Sequence, residues 1–205
     1  VYKSCLVDKD DPIAEWKKIH KQQGKICETL AKISSIRVVG EDTDLTFNVK
    51  GRKWIDCSGK ENMPDGEVFT APHEKSANGT IRFTFPAIAA GREIQDITLT
   101  FKDGKVTKAT ATKGNDFLQE TLKIEGADRI GEFAIGTNYG ITRFAKNMLF
   151  DEKMGGTIHL AVGMGYPESG SRNDSGIHWD MLCDMSDAEI KVDGDLFYRN
   201  GKTAI

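Results

Sequence analysis

The stretch DEKMGGTIHLAVGMGYPESGSRNDSGIHWDMLCD, residues 151–184, holds two β-like runs separated by a loop rich in glycine, serine and asparagine. In Ile177-His178-Trp179-Asp180, followed by Met181 and Leu182, the histidine and the aspartate stand two apart. In an extended strand both side chains leave the same face and Trp179 leaves the other, toward the core. His159 lies in Thr-Ile-His-Leu-Ala-Val, a second run whose composition favours a strand. Ordinary strand packing brings its imidazole beside the first pair, and two imidazoles with a carboxylate are the start of a metal site.

The same alternation governs most of the chain that precedes this stretch. Ile36-Val38, Leu45-Phe47-Val49 and Trp54 within residues 52–56 read as strands and hairpins, with Lys50-Gly51 as the turn between the last two. Ile81-Phe83-Phe85 and Ile97-Leu99-Phe101 alternate with polar residues, and Asp103-Gly104 turns the second run into residues 106–112. At the C-terminal end, Ile190-Val192, Asp193-Gly194 and Leu196-Tyr198 form a hairpin, and Asn200-Gly201 turns once more. Helices frame this β pattern. Asp11-Pro12 caps and starts an amphipathic helix carrying Ile13, Trp16, Ile19, Ile26, Leu30 and Ile33. Asn115 or Asp116 caps a short helix with Phe117, Leu118, Leu122 and Ile124, which Gly126 ends. The expected fold is α+β: mainly antiparallel strands with an N-terminal amphipathic helix and short additional helices, in a single domain over residues 1–205.

Composition removes several function classes. At 205 residues with 39% hydrophobic content the chain can bury a real core. The 28 basic and 31 acidic residues are balanced, so nucleic acid is not the expected partner. No apolar run approaches the roughly 18 residues that cross a bilayer, and no signal-peptide core opens the chain, so no membrane partner is expected. The chain begins at Val1, which suggests a piece of a longer protein. Cys5, Cys27, Cys57 and Cys183 form no CxxC pair and read as reduced thiols of a cytoplasmic protein. The sequons at Asn78 and Asn173 are read as unmodified in the absence of a secretory signal.

The chain has no HExxH, no GxSxG, no phosphate-binding loop and no GxGxxG opening a helix. What remains is a scattered set of candidate ligands: Glu67, Glu132, His159, His178 and Asp180. Glu132 stands in the apolar run Ile-Gly-Glu-Phe-Ala-Ile-Gly, where a carboxylate needs a partner. Glu152, Glu168 and His73 are read as surface or supporting groups, and His20 as a surface or half-buried residue of the first helix. Three carboxylates and two neutral imidazoles without a thiolate suit Zn, Co or Mn rather than a closed structural zinc site.

Around those positions the motifs become specific. NMPDGEVFTAP at 62–72, IGEFAIGTN at 130–138, LFDEKMGGTIH at 149–159, YPESG at 166–170 and IHWDM at 177–181 closely resemble the aminopeptidase T and aminopeptidase S family of dinuclear metallopeptidases, in order and over nearly the whole chain. The resemblance implies metal ligation by the positions of Glu67, Glu132, His159, His178 and Asp180, with Tyr166 in the active centre. It also implies peptide substrates, two divalent metal ions, and a homodimer that encloses its active sites. Members are about twice as long, with a further N-terminal domain, so this chain looks like the catalytic half. Tyr166 is either a donor to the tetrahedral oxyanion or a residue packed under the 163–176 loop, which is expected to be mobile on its own. Glu67, after the flexible Pro64-Asp65-Gly66 turn, is the carboxylate assigned proton transfer besides ligation, although sequence does not separate it from Glu132. The expected activity is metalloaminopeptidase. The alternatives are a non-catalytic metal-binding fragment and a dinuclear hydrolase of another amide or ester.

Overall fold

Side chains that alternate between water and an apolar interior stack into layers, and here they stack into two. The computed structural model describes residues 1–204. The larger sheet has eight strands: β1 (Ser35–Gly40), β2 (Thr43–Asn48), β5 (Asn78–Arg82), β8 (Thr98–Lys102), β9 (Lys105–Thr110), β13 (Glu189–Val192), β14 (Asp195–Arg199) and β15 (Lys202–Thr203). Their spatial order is β15-β14-β13-β1-β2-β5-β8-β9. The smaller sheet has five, from β3 (Ile55–Cys57), β4 (Glu67–Thr70), β10 (Ile130–Gly136), β11 (Thr157–Gly163) and β12 (His178–Asp184), in the order β12-β11-β10-β4-β3. β6 (Ala87–Ala89) and β7 (Arg92–Ile94) form a separate ribbon. All paired strands are antiparallel, as the α+β reading requires.

The core lies between the sheets. Ile36, Val38, Leu45, Phe47, Ile81 and Leu99 of the larger sheet face Val68, Phe133, Ile135, Ile158, Leu160 and Met181 of the smaller one, all essentially without exposed surface. Phe47 and Phe133 meet across the interface with ring centroids 4.9 Å apart. Each such buried side chain contributes about 1.5–3 kcal/mol relative to exposure. Trp179 joins this core, as its place between His178 and Asp180 predicts.

The Asp-Gly hairpins form as read. Asp103-Gly104 joins β8 to β9 and Asp193-Gly194 joins β13 to β14, with positive φ at both central residues, the geometry whose twist matches the flanking strands. The N-terminal helix α1 (Pro12–Leu30) is capped by Asp11, whose Oδ1 accepts from the Ala14 N–H at 2.9 Å. It buries Trp16, Gln23, Ile26 and Leu30 and packs on β3 and β4.

Four local expectations need correction. Lys50-Gly51 does not close a hairpin, because β2 and β3 belong to different sheets and the turn carries the chain from one layer to the other. The strand at Ile81 ends at Arg82, so Phe83 and Phe85 lie beyond it, with Phe85 stacked on Phe144. Ile13 is exposed. The second helix, α2 (Asn115–Thr121), takes Gly114 as its N-cap, with no side-chain cap, since Asn115 Oδ1 accepts instead from Ala111 N–H; the helix stops short of Gly126. A short α3 (Met148–Asp151) precedes β11. Among the described residues no helix is long and apolar enough to cross a membrane, and all four cysteines are free.

Candidate metal centre

One strand face makes the core, so the opposite face of β4, β10, β11 and β12 is free to make something else. By the two-residue period it carries Glu67, Glu132, His159, His178 and Asp180 together. The register spaces them. Ala161 lies opposite both Glu132 and Asp180, and Ala134 lies opposite His159, so small side chains separate the large polar ones. A bulge at Gly131, where a side chain would collide with the backbone of residues 163 and 164, sets the aim of Glu132.

All five predicted ligands come together. His159 Nε2 stands 3.0 Å from Glu132 Oε1, 3.3 Å from Glu67 Oε2 and 3.9 Å from Asp180 Oδ1. His178 Nε2 stands 3.3 Å from Asp180 Oδ1 and 3.9 Å from Glu132 Oε2. Its other ring nitrogen donates to the Met164 carbonyl at 2.7 Å, which aims Nε2 into the cluster as an outer-shell bond does at a metal site. Two triads, Glu67–Glu132–His159 and Glu132–His178–Asp180, each gather their ligand atoms within 4.8 Å and share Glu132. Glu67, Glu132, His159 and Asp180 are buried.

The donor set fits divalent cations. Of the eight buried side-chain polar atoms without a hydrogen-bond partner among the described residues, Glu67 Oε2 and Asp180 Oδ1 lie in this one cluster, on the Nε2 side of His159. Each such orphan costs about 1–3 kcal/mol, which a bound cation can offset. In the protein alone, protons do that work. Burial by itself would lower the His159 pKa, but the hydrogen bond to Glu132 and the charges of Glu67 and Asp180 hold it up at about 10. Burial likewise opposes, and Asp180 with Glu132 overcomes, at His178, which is held at about 9. Burial raises the Glu132 pKa, against the hydrogen bond and charge of His159. Burial would also raise Asp180, but the two imidazoles keep it below the usual carboxylate range.

Tyr166 is half-exposed at the rim. It is not packed under the loop, and its ring lies against His178 and Phe69, with centroids 5.1 and 5.6 Å away. Burial first, then the carboxylates Glu132, Asp180, Glu152 and Glu67, push its phenol up to about 12, so it stays a donor. Within the 163–176 loop, buried Asn173 Nδ2 donates to Gly126 and Gly163 carbonyls at 2.8 and 2.6 Å, and Arg172 N–H donates to Glu74. That burial also closes the Asn173 sequon to modification. The turn before Glu67 is fixed as well, since Asp65 is buried and accepts from Gly59 and Gly66 N–H, and Asn138 Nδ2 donates to the Asp65 carbonyl.

One residue of the site escapes sequence reasoning. Lys153 is buried and pairs with Glu67 and Glu152, the latter at 2.7 Å; burial would lower its pKa, but the two carboxylates more than restore it, so it is charged. Glu152, read as a surface or supporting group, is half-buried, with ligand atoms grouped with those of His159 and Asp180. Its burial, offset by Lys153, holds it at about 7. A lysine defaults to the surface in any sequence reading, so only its place in the 149–159 motif could have flagged it. Glu168 is exposed, and His73 Nε2 meets the Lys50 carbonyl, so neither joins the site. His20 contacts Asp56 and Ser58, but both oxygens meet the same ring nitrogen, so no proton relay runs across the ring.

The sequence model of one family, described as thermophilic metalloprotease (M29), matches residues 1–203. The chain is 32% identical to Aminopeptidase 2 of Geobacillus stearothermophilus, an alignment covering 95% of this chain and 53% of that protein. It is 28% identical to Aminopeptidase T of Thermus aquaticus, with the same coverages of 95% and 53%. Among solved structures it superposes on AmpT from Thermus thermophilus with a TM-score of 0.85 at 25% identity, covering 95% of this chain and 56% of the other. It also superposes on a 2,5-dihydroxypyridine dioxygenase from Pseudomonas putida KT2440, with a TM-score of 0.76 at 15% identity over 91% and 59% of the two chains, a likeness of fold alone. The chain spans about half the length of the curated relatives it matches.

Proposed function

The chain belongs to the thermophilic metalloprotease family M29, and from that premise we propose that it is the catalytic domain of an aminopeptidase that releases N-terminal residues from peptides, using two divalent ions of the Zn, Co or Mn kind. The observation that carries the reading is the pair of ligand triads overlapping at Glu132, which offers two sites one shared carboxylate. Relatives named aminopeptidases support the substrate class. Such a pair of ions supplies Lewis-acid polarisation of the scissile carbonyl and a bound water whose pKa approaches neutrality.

The remaining work falls to side chains of this chain. Tyr166 donates a hydrogen bond to the carbonyl oxygen as negative charge grows there. Glu152, whose carboxylate lies with the ligand atoms of His159 and Asp180, would take the water's proton and return it to the leaving amine, with Glu67 kept as a ligand. The reading includes assembly as a homodimer, carried by the family resemblance, and a cytoplasmic setting, with which the four free cysteines agree.

The test is steady-state hydrolysis of an aminoacyl anilide by metal-reconstituted protein beside the same anilide with its amine acetylated. The proposal expects turnover of the free amine only, lost on chelation. Equal turnover of the blocked compound would remove the aminopeptidase assignment.

A further inference from the structure

Glu67 has two carboxylate oxygens in unlike surroundings. Oε1 accepts from Lys153 Nζ, whereas Oε2 is buried without a hydrogen-bond partner and lies 3.3 Å from His159 Nε2, on the side of the shared cluster. We infer that Lys153 is a positioning residue that holds Glu67 as a one-oxygen ligand, presenting Oε2 to the metal centre and withholding Oε1. The inference rests on the metal reading of the site and adds to it a reason why a coordination position stays open for water or substrate.

Neither partner can easily turn away. The Glu67 carbonyl accepts from Gln23 Nε2 at 3.0 Å, and the preceding Gly66, at φ +124°, is packed so closely on Asn138 that no side chain fits there. On the other side, the Lys153 carbonyl accepts from Asn138 N–H at 3.0 Å and its own N–H donates to Phe150. Its side chain is 3% exposed and is held by a second acceptor, Glu152 Oε1, at 2.7 Å. Asn138 thus packs on the backbone that carries Glu67 and bonds the backbone that carries Lys153. A carboxylate that chelates a cation must turn both oxygens toward it. With an ammonium held against Oε1, chelation would take from the buried Lys153 charge one of its two carboxylate partners, a costly loss.

The clamp is tested with Co(II), whose visible absorption is intense at low coordination number and weak at high. In Lys153→Met, Glu67 is free to chelate. The expected result is an unchanged cobalt-to-protein ratio, weaker visible bands, and kcat for an aminoacyl anilide lowered roughly 10- to 100-fold with little change in KM, the range seen when outer-shell partners are lost. Lys153→Gln, which keeps a donor, should retain most of the wild-type spectrum. An unchanged spectrum in the folded Met variant would overturn the clamp. Should that variant not fold, the cobalt-loaded wild-type crystal decides: one Glu67 oxygen on metal with the other on Lys153 supports the inference, and both oxygens on metal overturn it. A wild-type chain that takes up no cobalt at all would instead refute the metal reading on which the clamp depends.

Discussion

Glu132 belongs to both ligand triads, so its loss should be felt differently from the loss of any neighbour. Glu132→Ala is expected to abolish stoichiometric metal binding, whereas His178→Ala should leave the Glu67–Glu132–His159 triad able to hold an ion. Elemental analysis of the reconstituted variants distinguishes them, and equal losses would deny Glu132 its shared role. Protons compete for the same atoms. His159 and His178 keep theirs to about 10 and about 9, so a metal must expel them at neutral pH. Apparent affinity should therefore climb with pH through this range, by roughly tenfold per unit for each histidine displaced, instead of levelling off above the ordinary imidazole value of about 6.5. Chelator competition at several pH values, corrected for the chelator's own protonation, measures it; a flat profile between about pH 7 and 9 would exclude imidazole ligation. Tyr166→Phe should lower kcat by on the order of 100-fold without loss of metal, the scale of one oxyanion donor. The five candidate ligands were legible as a group because histidines and carboxylates in strand-like runs are conspicuous, and the resemblance put them in one site. Lys153 was not, since its burial depends on meeting Glu67, 86 positions away in sequence.

At the level of elements, the cluster exists because β10, β11 and β12 put core residues on one face and candidate ligands on the other. The alternation at Ile158-His159-Leu160 and Trp179-Asp180-Met181 is written in the sequence, and so are the hairpins, because Asp-Gly turns are local. Which sheet a strand joins is not written there. Lys50-Gly51 bends the chain whether it closes a hairpin or crosses between layers, and only long-range packing of Phe47 and Phe133 decides. The α2 cap misled for a related reason: Asn115 can bond its own helix or the strand end at Ala111, and the second won. Gly136 links the strand to the turn that carries Lys153, because a side chain there would collide with the Met154 carbonyl. Gly136→Ala should destabilise the fold by about 1–3 kcal/mol, and by displacing residues 153 and 154 should also weaken metal binding. Urea unfolding together with metal titration checks both, and a variant with wild-type midpoint and affinity would show that the turn yields without consequence.

Across the whole molecule, the larger sheet supplies a rigid backing and the smaller sheet presents chemistry on its far side. Phe133, fully buried between the layers and flanked in sequence by Glu132, couples the two. Phe133→Ala should cost about 3–5 kcal/mol. Stability of the metal-free protein should also follow the two histidines. Their pKa values are higher folded than unfolded, so their contribution is complete below about pH 6.5 and declines as pH rises, vanishing once the folded values near 9 and 10 are passed. Metal replaces the lost protons, so the rise in Tm on adding metal should be larger at alkaline pH than at neutral pH. The most direct measurement of the central claim is an anomalous difference map from a zinc-soaked crystal, collected at the metal's absorption edge. Two peaks per chain on the outer face of the smaller sheet, both within bonding distance of Glu132, are the predicted result; a single peak, or peaks that do not touch Glu132, would contradict it.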